Sequence, residues 1–247
     1  MAETLIVLPT YNEIESLSGV LARIRRAVPE ADVVVVDDSS PDGTGALAER
    51  LAADDVQLAV IHRATKDGLC RAYLAGFDRA LSNGYRFVVE IDADGSHDPA
   101  ELPAMIELAR AGADLVIGSR WVDGGAVRNW PWFRRLISRT GNGYARLMLH
   151  SHIRDITAGF RIYATSALRT LDLGAVSAHG YGFQVEIAWM IERSGLTVVE
   201  HPITFVERAA GTSKMGTGIV VEALVKVTIW GWNGRRRGTT KSRPSPR

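Results

Sequence analysis

Apolar residues in the first 120 positions fall into two alternating patterns, short continuous runs and longer segments with helical spacing. A continuous run bounded by turn residues is typical of a buried strand, and apolar residues three and four positions apart are typical of an amphipathic helix. The predicted strands are 4–8, 32–38, 56–61, 86–91 and 114–118, and the predicted helices are 14–28, 45–53, 67–81 and 99–111. This alternation predicts an α/β fold with a doubly wound, mainly parallel sheet and helices on both faces.

The second half of the chain has more aromatic and basic residues and fewer apolar runs. Residues 121–132 are rich in Gly and Trp and predict a loop, and residues 133–149 have the spacing of a long amphipathic helix. The later segments predict loops or short strands at 155–163 and 178–183, a helix at 184–194, and extended chain at 197–200 and 203–206. We expect one domain over residues 1–234, made of a sheet-forming part (4–120) and an appended part (121–234).

Residues 218–233 are apolar around nearly the whole circumference of a predicted helix. The polar side chains Glu222, Lys226 and Asn233 fall in one narrow strip. Such a helix either packs between other elements or lies in a membrane interface. The distribution of residues around the helix slightly favours packing, whereas the nearby Trp and basic residues favour the interface. No run of eighteen uncharged apolar residues occurs, so the sequence predicts no membrane-spanning helix.

Charge is unevenly distributed in a chain of otherwise ordinary globular composition. The net charge is +1, from 29 basic and 28 acidic residues, yet residues 235–247 hold six basic residues and no acidic one. A basic tail on an acidic body points to an anionic surface, membrane or nucleic acid, or to a solvated end. We expect this tail to be disordered. The single cysteine, Cys70, excludes an internal disulfide and suits a reducing compartment.

Four polar clusters follow predicted strands, each at the point where an apolar run stops. They are Pro9–Glu13, Asp37–Thr44, Asp92–Asp94 and Gly118–Arg120. In an open parallel sheet the carboxyl ends of the strands meet at one edge, where ligands bind. Helix capping explains one such cluster, but four along one edge describe a ligand cleft.

Asp92 and Asp94 are the strongest chemical signal in the sequence. Two carboxylates one residue apart repel each other unless a cation lies between them, so they predict a divalent metal site. The alternative is an acidic turn that caps the helix beginning at Pro99. Asp37 or Asp38 is a candidate for hydrogen bonds to a ribose or a base, with helix capping as an equal alternative.

The sequence lacks the glycine-rich loops that cradle nucleotide phosphates at helix N-termini. It contains neither a Gly-x-Gly-x-x-Gly turn nor a Gly-x-x-x-x-Gly-Lys loop. A nucleoside diphosphate bound here would therefore need a metal ion and basic side chains. The candidate cations are Lys66, Arg208 and Lys214.

Taken in order, the polar motifs resemble those of one enzyme family. They are Pro9–Glu13, Asp37–Thr44, Asp67–Leu69, Asp92–His97, Gly118–Arg120, Asp155–Arg161, Gly180–Gln184, Pro202–Arg208 and Gly211–Met215. The chain resembles the polyprenol- and dolichol-phosphate mannose synthases, which are family-two glycosyltransferases with the GT-A fold. The last several motifs separate this group from other family-two enzymes.

The resemblance implies a role for each matching residue. The residues expected to hold the nucleoside of GDP-mannose are Pro9, Tyr11, Glu13 and Asp38. Those expected to bind Mg²⁺ or Mn²⁺ are Asp92 and Asp94, with Ser96 standing where some relatives place a metal-binding Gln. The diphosphate would be clamped by Arg208 and Lys214, and the acceptor phosphate would meet Arg120 and Arg134. The substrate-binding set is completed by Asp42, Lys66, Ala93 and Gln184. The residues expected to be catalytic are Asp94, Arg120 and Arg134.

The implied reaction transfers mannose from GDP-mannose to a polyprenyl phosphate. Because a phosphate monoester is already anionic at neutral pH, it needs little help from a general base, and the enzyme's main task is electrostatic. We expect single displacement with inversion and no covalent enzyme intermediate. Residues 4–120 would bind the nucleotide sugar, and residues 121–234 would form the acceptor and interfacial part.

The resemblance also implies a location and partners. The chain would lie peripherally on the cytoplasmic face of a membrane. An integral-membrane protein is a possible partner, and nucleic acid is not expected to be one. Trp121, Trp130, Trp132 and Phe133 are expected to form an amphipathic interfacial surface with nearby arginines. The alternative is a buried aromatic cluster with the arginines facing solvent.

Three other functions fit part of the pattern. A related enzyme would use another nucleotide sugar, such as UDP-glucose. A haloacid-dehalogenase-type phosphatase would use Asp92 as nucleophile, but it needs a further acidic pair on a later strand, and none follows residue 118. A nucleotide- or phospholipid-binding module would explain the basic tail but would leave Asp92 and Asp94 without a task.

Overall fold

The computed structural model of the protein describes residues 2–176, 182–207 and 224–232. Within these ranges the strands are β1 (Thr4–Thr10), β2 (Asp32–Asp37), β3 (Leu58–His62), β4 (Phe87–Glu90), β5 (Leu115–Ser119), β6 (Ala126–Arg128), β7 (Arg161–Ala164), β8 (Val198–Pro202) and β9 (Thr204–Val206). The helices are α1 (Leu17–Ala27), α2 (Thr44–Ala53), α3 (Leu69–Ser82), α4 (Leu102–Arg110), α5 (Trp132–Leu149), α6 (Thr165–Arg169), α7 (Gly182–Arg193) and α8 (residues 224–232).

The main sheet has the strand order β3-β2-β1-β4-β7-β5-β8. The β3-β2, β2-β1, β1-β4 and β5-β8 pairs are parallel, and β7 runs antiparallel between β4 and β5. β6 and β9 form a small parallel pair beside the carboxyl ends of the main strands. The predicted doubly wound, mainly parallel sheet is therefore confirmed.

Two hydrophobic layers cover the sheet, one on each face. Side chains alternate along a strand, so Val7 of β1 joins the cluster that contains α3 and α7, while Ile6 and Leu8 join the cluster that contains α1 and α4. The helix α3 packs very closely on β1, because a Cβ atom added to Gly76 would lie 2.6 Å from Cγ2 of Val7. Burial on both faces explains why these strands are continuous apolar runs.

In the second half the structure decides one open prediction and corrects another. Residues 155–163 were expected to be loop or short strand, and Arg161–Ala164 is a short strand inside the main sheet. The predicted loop at 121–132 contains β6. Neither strand has the apolar run of the first five, because β7 carries a buried arginine and β6 has only three residues.

The helix α8 packs on other elements, which is one of the two alternatives for the apolar segment near the C-terminus. Val227 is buried, and Trp230 stacks on Trp189 of α7 with ring centroids 6.1 Å apart. Ile229 and Trp232 are half or more exposed. One face therefore packs on the domain and another faces outward. Among the described residues, no helix has the length and apolar character needed to cross a bilayer.

Candidate active site

The carboxyl ends of β1 and β2 are joined by hydrogen bonds between their loops. Thr10 Oγ1 donates to Asp37 Oδ1 at 2.9 Å, and the Glu13 amide donates to Thr44 Oγ1 at 2.9 Å. Asp42 accepts from the backbone amides of Thr44 and Ile14 at 2.9 and 3.2 Å. Asp37 and Asp42 thus shape these loops; Asp37 accepts from Thr10 and Ser40 and does not cap α2, whose N-cap is Gly43.

Asp38 lies at the end of β2 and is buried, with its carboxylate paired to Arg63. Burial raises the pKa of Asp38, and the Arg63 guanidinium opposes that shift. Tyr11 lies in the neighbouring loop, and the Lys66 ammonium stands 3.7 Å from the centre of its ring. This corner of the sheet edge therefore offers an aromatic face, a buried carboxylate and a cation.

Asp92 and Asp94 lie on a tight turn directly after β4 and are both partly exposed. Tyr73 donates its hydroxyl to Asp92 Oδ1 at 3.2 Å, and the Ser96 amide donates to Asp94 Oδ1 at 3.0 Å. Gly95 has φ of +77°, a conformation that favours glycine, and this lets the chain turn between the second aspartate and Ser96. Both carboxylates are held by neighbours and remain reachable from outside.

The donor set of this turn fits a hard divalent cation. Among the described residues, no group of three or more His, Cys, Asp or Glu side chains is arranged to hold a metal ion. Two carboxylates leave several coordination positions for water or ligand oxygens, as Mg²⁺ sites on phosphate substrates do. The buried Ser96 hydroxyl has no hydrogen-bond partner within the described ranges, so the turn also supplies an uncommitted oxygen.

His97 supports the acidic turn from beneath. It is buried and stacked on Phe160 with ring centroids 5.2 Å apart, and its Nδ1 accepts from the Asp92 amide at 3.2 Å. Burial lowers the pKa of His97 to about 4, so the ring is neutral near pH 7. His97 therefore holds the backbone of the turn by accepting the Asp92 amide.

Arg120 is fixed at the end of β5 by a buried carboxylate. Its Nε and Nη2 donate to the two oxygens of Asp155 at 2.7 Å each, and its backbone amide donates to the same carboxylate at 2.9 Å. Asn142 of α5 donates to Asp155 at 3.3 Å and to Thr157 at 3.0 Å. The Asp155 carboxylate therefore ties β5, α5 and the loop before β7 together.

Arg134 lies in the first turn of α5 and forms an ion pair with Glu207, which directly follows β9. Its guanidinium carbon lies 4.3 Å from the centre of the Trp130 ring, and that of Arg120 lies 5.4 Å from the same ring. The two arginines expected to meet the acceptor phosphate are thus brought to one indole, although they are fourteen positions apart.

Gln184 is fully buried at the start of α7, and its Nε2 donates to Glu90 Oε2 at 3.1 Å. Glu90 and Arg161 are paired across β4 and β7 and are also fully buried. Arg161 donates to the carbonyl oxygens of Ile156, Ala158 and Gln184 at 2.6–2.7 Å. Burial raises the pKa of Glu90 to about 7. Gln184 therefore belongs to a buried network next to the acidic turn.

Aromatic residues of the second half divide into two groups. Trp132 and Phe133 are 75% and 53% exposed, and Leu136 and Ile137 on the next turn of α5 are similarly exposed. Trp130 is only 7% exposed, and Trp121 donates its Nε1 to Ser138 at 3.3 Å. Trp130 is therefore buried, as in the alternative of an aromatic cluster, whereas Trp132 and Phe133 are exposed and their interfacial role stays a prediction.

Comparison with known proteins identifies the family. The pattern of the family described as Glycosyl transferase family 2 matches residues 5–172. The undecaprenyl-phosphate mannosyltransferase of Micrococcus luteus is 55% identical over 236 residues, which cover 94% of this chain and 97% of that one. The polyprenol monophosphomannose synthase of Mycolicibacterium smegmatis is 52% identical over 233 residues, with coverage of 94% and 88%. The chain belongs to glycosyl transferase family 2.

Within family 2 the chain falls among the polyprenyl-phosphate mannosyltransferases, which confirms the resemblance and the expectation of a glycosyltransferase. A solved mannosyltransferase from Pyrobaculum calidifontis, in complex with GDP-Man and Mn²⁺, has a TM-score of 0.56 at 16% identity and covers 98% of this chain and 76% of its own. That likeness concerns the fold, which is the GT-A fold predicted for this chain.

Most of the residues expected in the family site fall within the described ranges, and their roles stay predictions. Pro9, Tyr11, Glu13 and Asp38 lie on one side of the edge, with Ala93 buried between the two aspartates. Arg208 and Lys214 lie outside the described residues. Sequence reasoning missed Arg63, Asn142, Asp155 and Arg161 as supporting groups. The motif Asp155–Arg161 carried a signal for two of them, whereas Arg63 and Asn142 have none in the sequence.

Proposed function

We propose that this glycosyltransferase transfers mannose from GDP-mannose to a polyprenyl phosphate, with a divalent cation at Asp92 and Asp94. The observation that carries the proposal is the position of the acidic turn between two sets of groups. Asp38 and Tyr11 lie on one side, after β2 and β1. Arg120, after β5, lies on the other side of β4 in the sheet, and Arg134 shares the Trp130 ring with it. A nucleotide sugar and an anionic acceptor can thus approach the turn from opposite sides.

The donor assignment is supported by family relationship and by the donor chemistry of the turn. The Pyrobaculum mannosyltransferase of the same fold was solved with GDP-Man and Mn²⁺. In this chain Asp92 and Asp94 would hold Mg²⁺ or Mn²⁺, which when bound would neutralise charge developing on the leaving diphosphate. Arg208, Lys214 and Lys66 are the proposed cations for the same diphosphate. Tyr11, Glu13, Asp38 and Pro9 would hold the nucleoside.

The acceptor needs positioning rather than deprotonation. A phosphate monoester has its second pKa near 6, so an acceptor oxygen is already anionic at neutral pH. Arg120 and Arg134 would hold that phosphate against the sugar carbon, offsetting the repulsion between the acceptor and donor phosphates. His97 is neutral and buried, so it is not assigned a proton-transfer step. We infer direct displacement with inversion at the sugar carbon.

Access to a lipid acceptor would come from a peripheral position on the membrane. Trp132, Phe133, Leu136 and Ile137 form an exposed apolar patch at the start of α5, beside Arg135. Apolar and basic residues on one helix suit the boundary between headgroups and acyl chains. We place the chain on the cytoplasmic face, where an integral-membrane protein partner could contribute further attachment.

The experiment that tests this function incubates the purified chain with Mg²⁺ or Mn²⁺, a short polyprenyl phosphate in detergent, and GDP-mannose or UDP-glucose in turn. We expect mannolipid only with GDP-mannose and only with metal present. Asp92→Asn and Asp94→Asn should each lower turnover by roughly 10²-fold or more, because loss of one key charge-stabilising group typically costs that much. Absence of mannolipid with every metal would contradict the proposal.

The membrane position is tested separately. The double variant Trp132→Ser and Phe133→Ser should bind anionic liposomes less in a flotation assay, while its turnover of a short acceptor in detergent stays at the wild-type level. A double variant that binds liposomes like the wild type would contradict the assignment of this patch.

In the donor assay, glucolipid formed from UDP-glucose would favour UDP-glucose as the nucleotide sugar.

A further inference from the structure

Trp130 lies between two charged groups at the predicted acceptor side of the edge. The guanidinium carbon of Arg134 is 4.3 Å from its ring centre, and that of Arg120 is 5.4 Å away. Phe205 of β9 packs edge-on against the same ring at 5.4 Å. Trp121 is also edge-on to it at 6.4 Å, so two cations and two aromatic rings surround the indole, and only 7% of the residue is exposed.

Arg120 and Arg134 each also form an ion pair with a carboxylate, and the two ion pairs differ in their burial. The Asp155 that pairs with Arg120 is fully buried, whereas Arg134 and Glu207 have side chains 29% and 31% exposed. The face of an indole ring attracts a cation without neutralising it. Trp130 can therefore hold two like-charged groups near each other while they keep their charge for an incoming phosphate.

The indole N–H of Trp130 supports this reading, because the fold does not use it. The Nε1 atom is inaccessible to solvent and has no hydrogen-bond partner within the described ranges. By contrast, Nε1 of Trp121 donates to Ser138 and that of Trp189 donates to the Leu149 carbonyl, both at 3.3 Å. A buried donor without a partner is unfavourable, so a tryptophan here is explained by its large π face and not by its N–H.

We infer that Trp130 is a positioning residue for the acceptor phosphate, because its ring lies against the Arg134 guanidinium and against that of Arg120, which Asp155 also holds. The inference rests on the proposed function, in which these arginines bind that phosphate. It predicts that acceptor binding depends on the electron density of the ring and not only on its volume. A residue that merely filled the space would show no such dependence.

The test measures the full-length chain in detergent with a short polyprenyl phosphate and GDP-mannose. Trp130→Phe should raise the KM for the acceptor by roughly 2- to 5-fold and Trp130→Leu by roughly 5- to 30-fold, as expected from weakening or losing two cation–π contacts. The KM for GDP-mannose should stay within about 2-fold of wild type. Tryptophan analogues with one to four ring fluorines, placed at position 130 alone, should raise the acceptor KM in step with fluorination, since fluorine weakens the ring's attraction for cations.

Trp189 offers a matched control. Its ring also lies against a guanidinium, that of Arg193 at 4.9 Å, but the contact is between α7 residues outside the predicted acceptor side. Trp189→Phe and fluorinated analogues at position 189 should leave the acceptor KM unchanged. The urea midpoint of every variant shows whether a rise in KM follows a loss of folding.

Calorimetric binding of the short polyprenyl phosphate to each variant separates this inference from the proposed function. If the wild type binds that lipid but makes no mannolipid, the proposed function fails while the binding series still decides the role of Trp130. The inference would be overturned if affinity for the polyprenyl phosphate did not change as fluorines are added to the ring at position 130. The inference would also fail if the variants lost affinity for GDP-mannose and for the polyprenyl phosphate together, in step with a fall in the urea midpoint.

Discussion

The buried carboxylate of Asp155 allows a sharp test of how the acceptor side is held together. Asp155→Asn keeps the size of the side chain but removes the negative charge and replaces one accepting oxygen with an NH₂ donor. In the folded protein that carboxylate receives the Arg120 Nε and Nη2 donors at 2.7 Å and the Arg120 amide at 2.9 Å. At least one of these donors would then face another donor, and the guanidinium would lose its counter-charge.

The size of the effect follows from burial. Asp155 has no exposed surface and the Arg120 side chain is 10% exposed, so water cannot replace the lost partner. Removing one partner of a buried ion pair costs about 3–5 kcal/mol. For a domain of this size, each kcal/mol shifts the melting temperature by about 2–4 °C, which predicts a fall of roughly 6–20 °C. The assays are urea unfolding and differential scanning calorimetry.

Two further variants make the result specific to the buried pair. Asp123→Asn removes the carboxylate of an exposed contact to Arg154 at 3.8 Å, and the urea midpoint should stay at the wild-type value. Asp155→Asn combined with Arg120→Gln should recover part of the loss, because the uncompensated charge is gone. If Asp155→Asn lies within about 1 kcal/mol of wild type, the buried pair does not hold this side of the site.

Two predictions concern the helices α1 and α3. Gly76→Ala should destabilise the fold by about 1–3 kcal/mol, because the added methyl group would lie 2.6 Å from Val7 Cγ2. Gly19→Ala in α1 meets nothing within 4 Å and should stabilise it by about 0.5–1 kcal/mol; equal urea midpoints for the two variants would contradict this. Burial raises the pKa of Cys70 to about 11, so at pH 8 only about one thiol in a thousand is ionised. A disulfide reagent at pH 8 should therefore label Cys70 slowly in the native protein and rapidly in urea, and equal rates would refute the assigned burial.

The first half of the fold could be predicted from the sequence because each of its elements has a local signature. β1, β2 and β4 are buried on both faces and appear as continuous apolar runs, so their positions were predicted within one or two residues. α1 begins at Leu17 instead of Ile14, since Asn12 has φ of +59° and residues 14–16 form a turn before the helix. Such a local departure leaves the apolar spacing of the helix unchanged.

The strand β7 shows where local patterns fail. Arg161 is fully buried in the middle of the molecule, and its guanidinium is satisfied by three backbone carbonyl groups from the preceding loop and α7. No apolar run marks such a strand, and its antiparallel place between β4 and β5 depends on pairing partners 44 to 77 positions away. Pairings of that separation leave no trace in a window of ten residues.

The sequence by itself determined the chemistry available along the sheet edge. Strand ends follow from apolar runs, and parallel strands bring their carboxyl ends together, so the acidic turn at Asp92 and Asp94 had to lie beside the loops after β1 and β2. Only the tertiary structure decided which polar groups support others. Asp42 shapes a loop, Asp155 fixes Arg120, and Trp130 turns inward to two guanidinium groups. The reason is physical: residue type fixes what a side chain can bind, whereas burial and the neighbours from distant segments fix what it does bind.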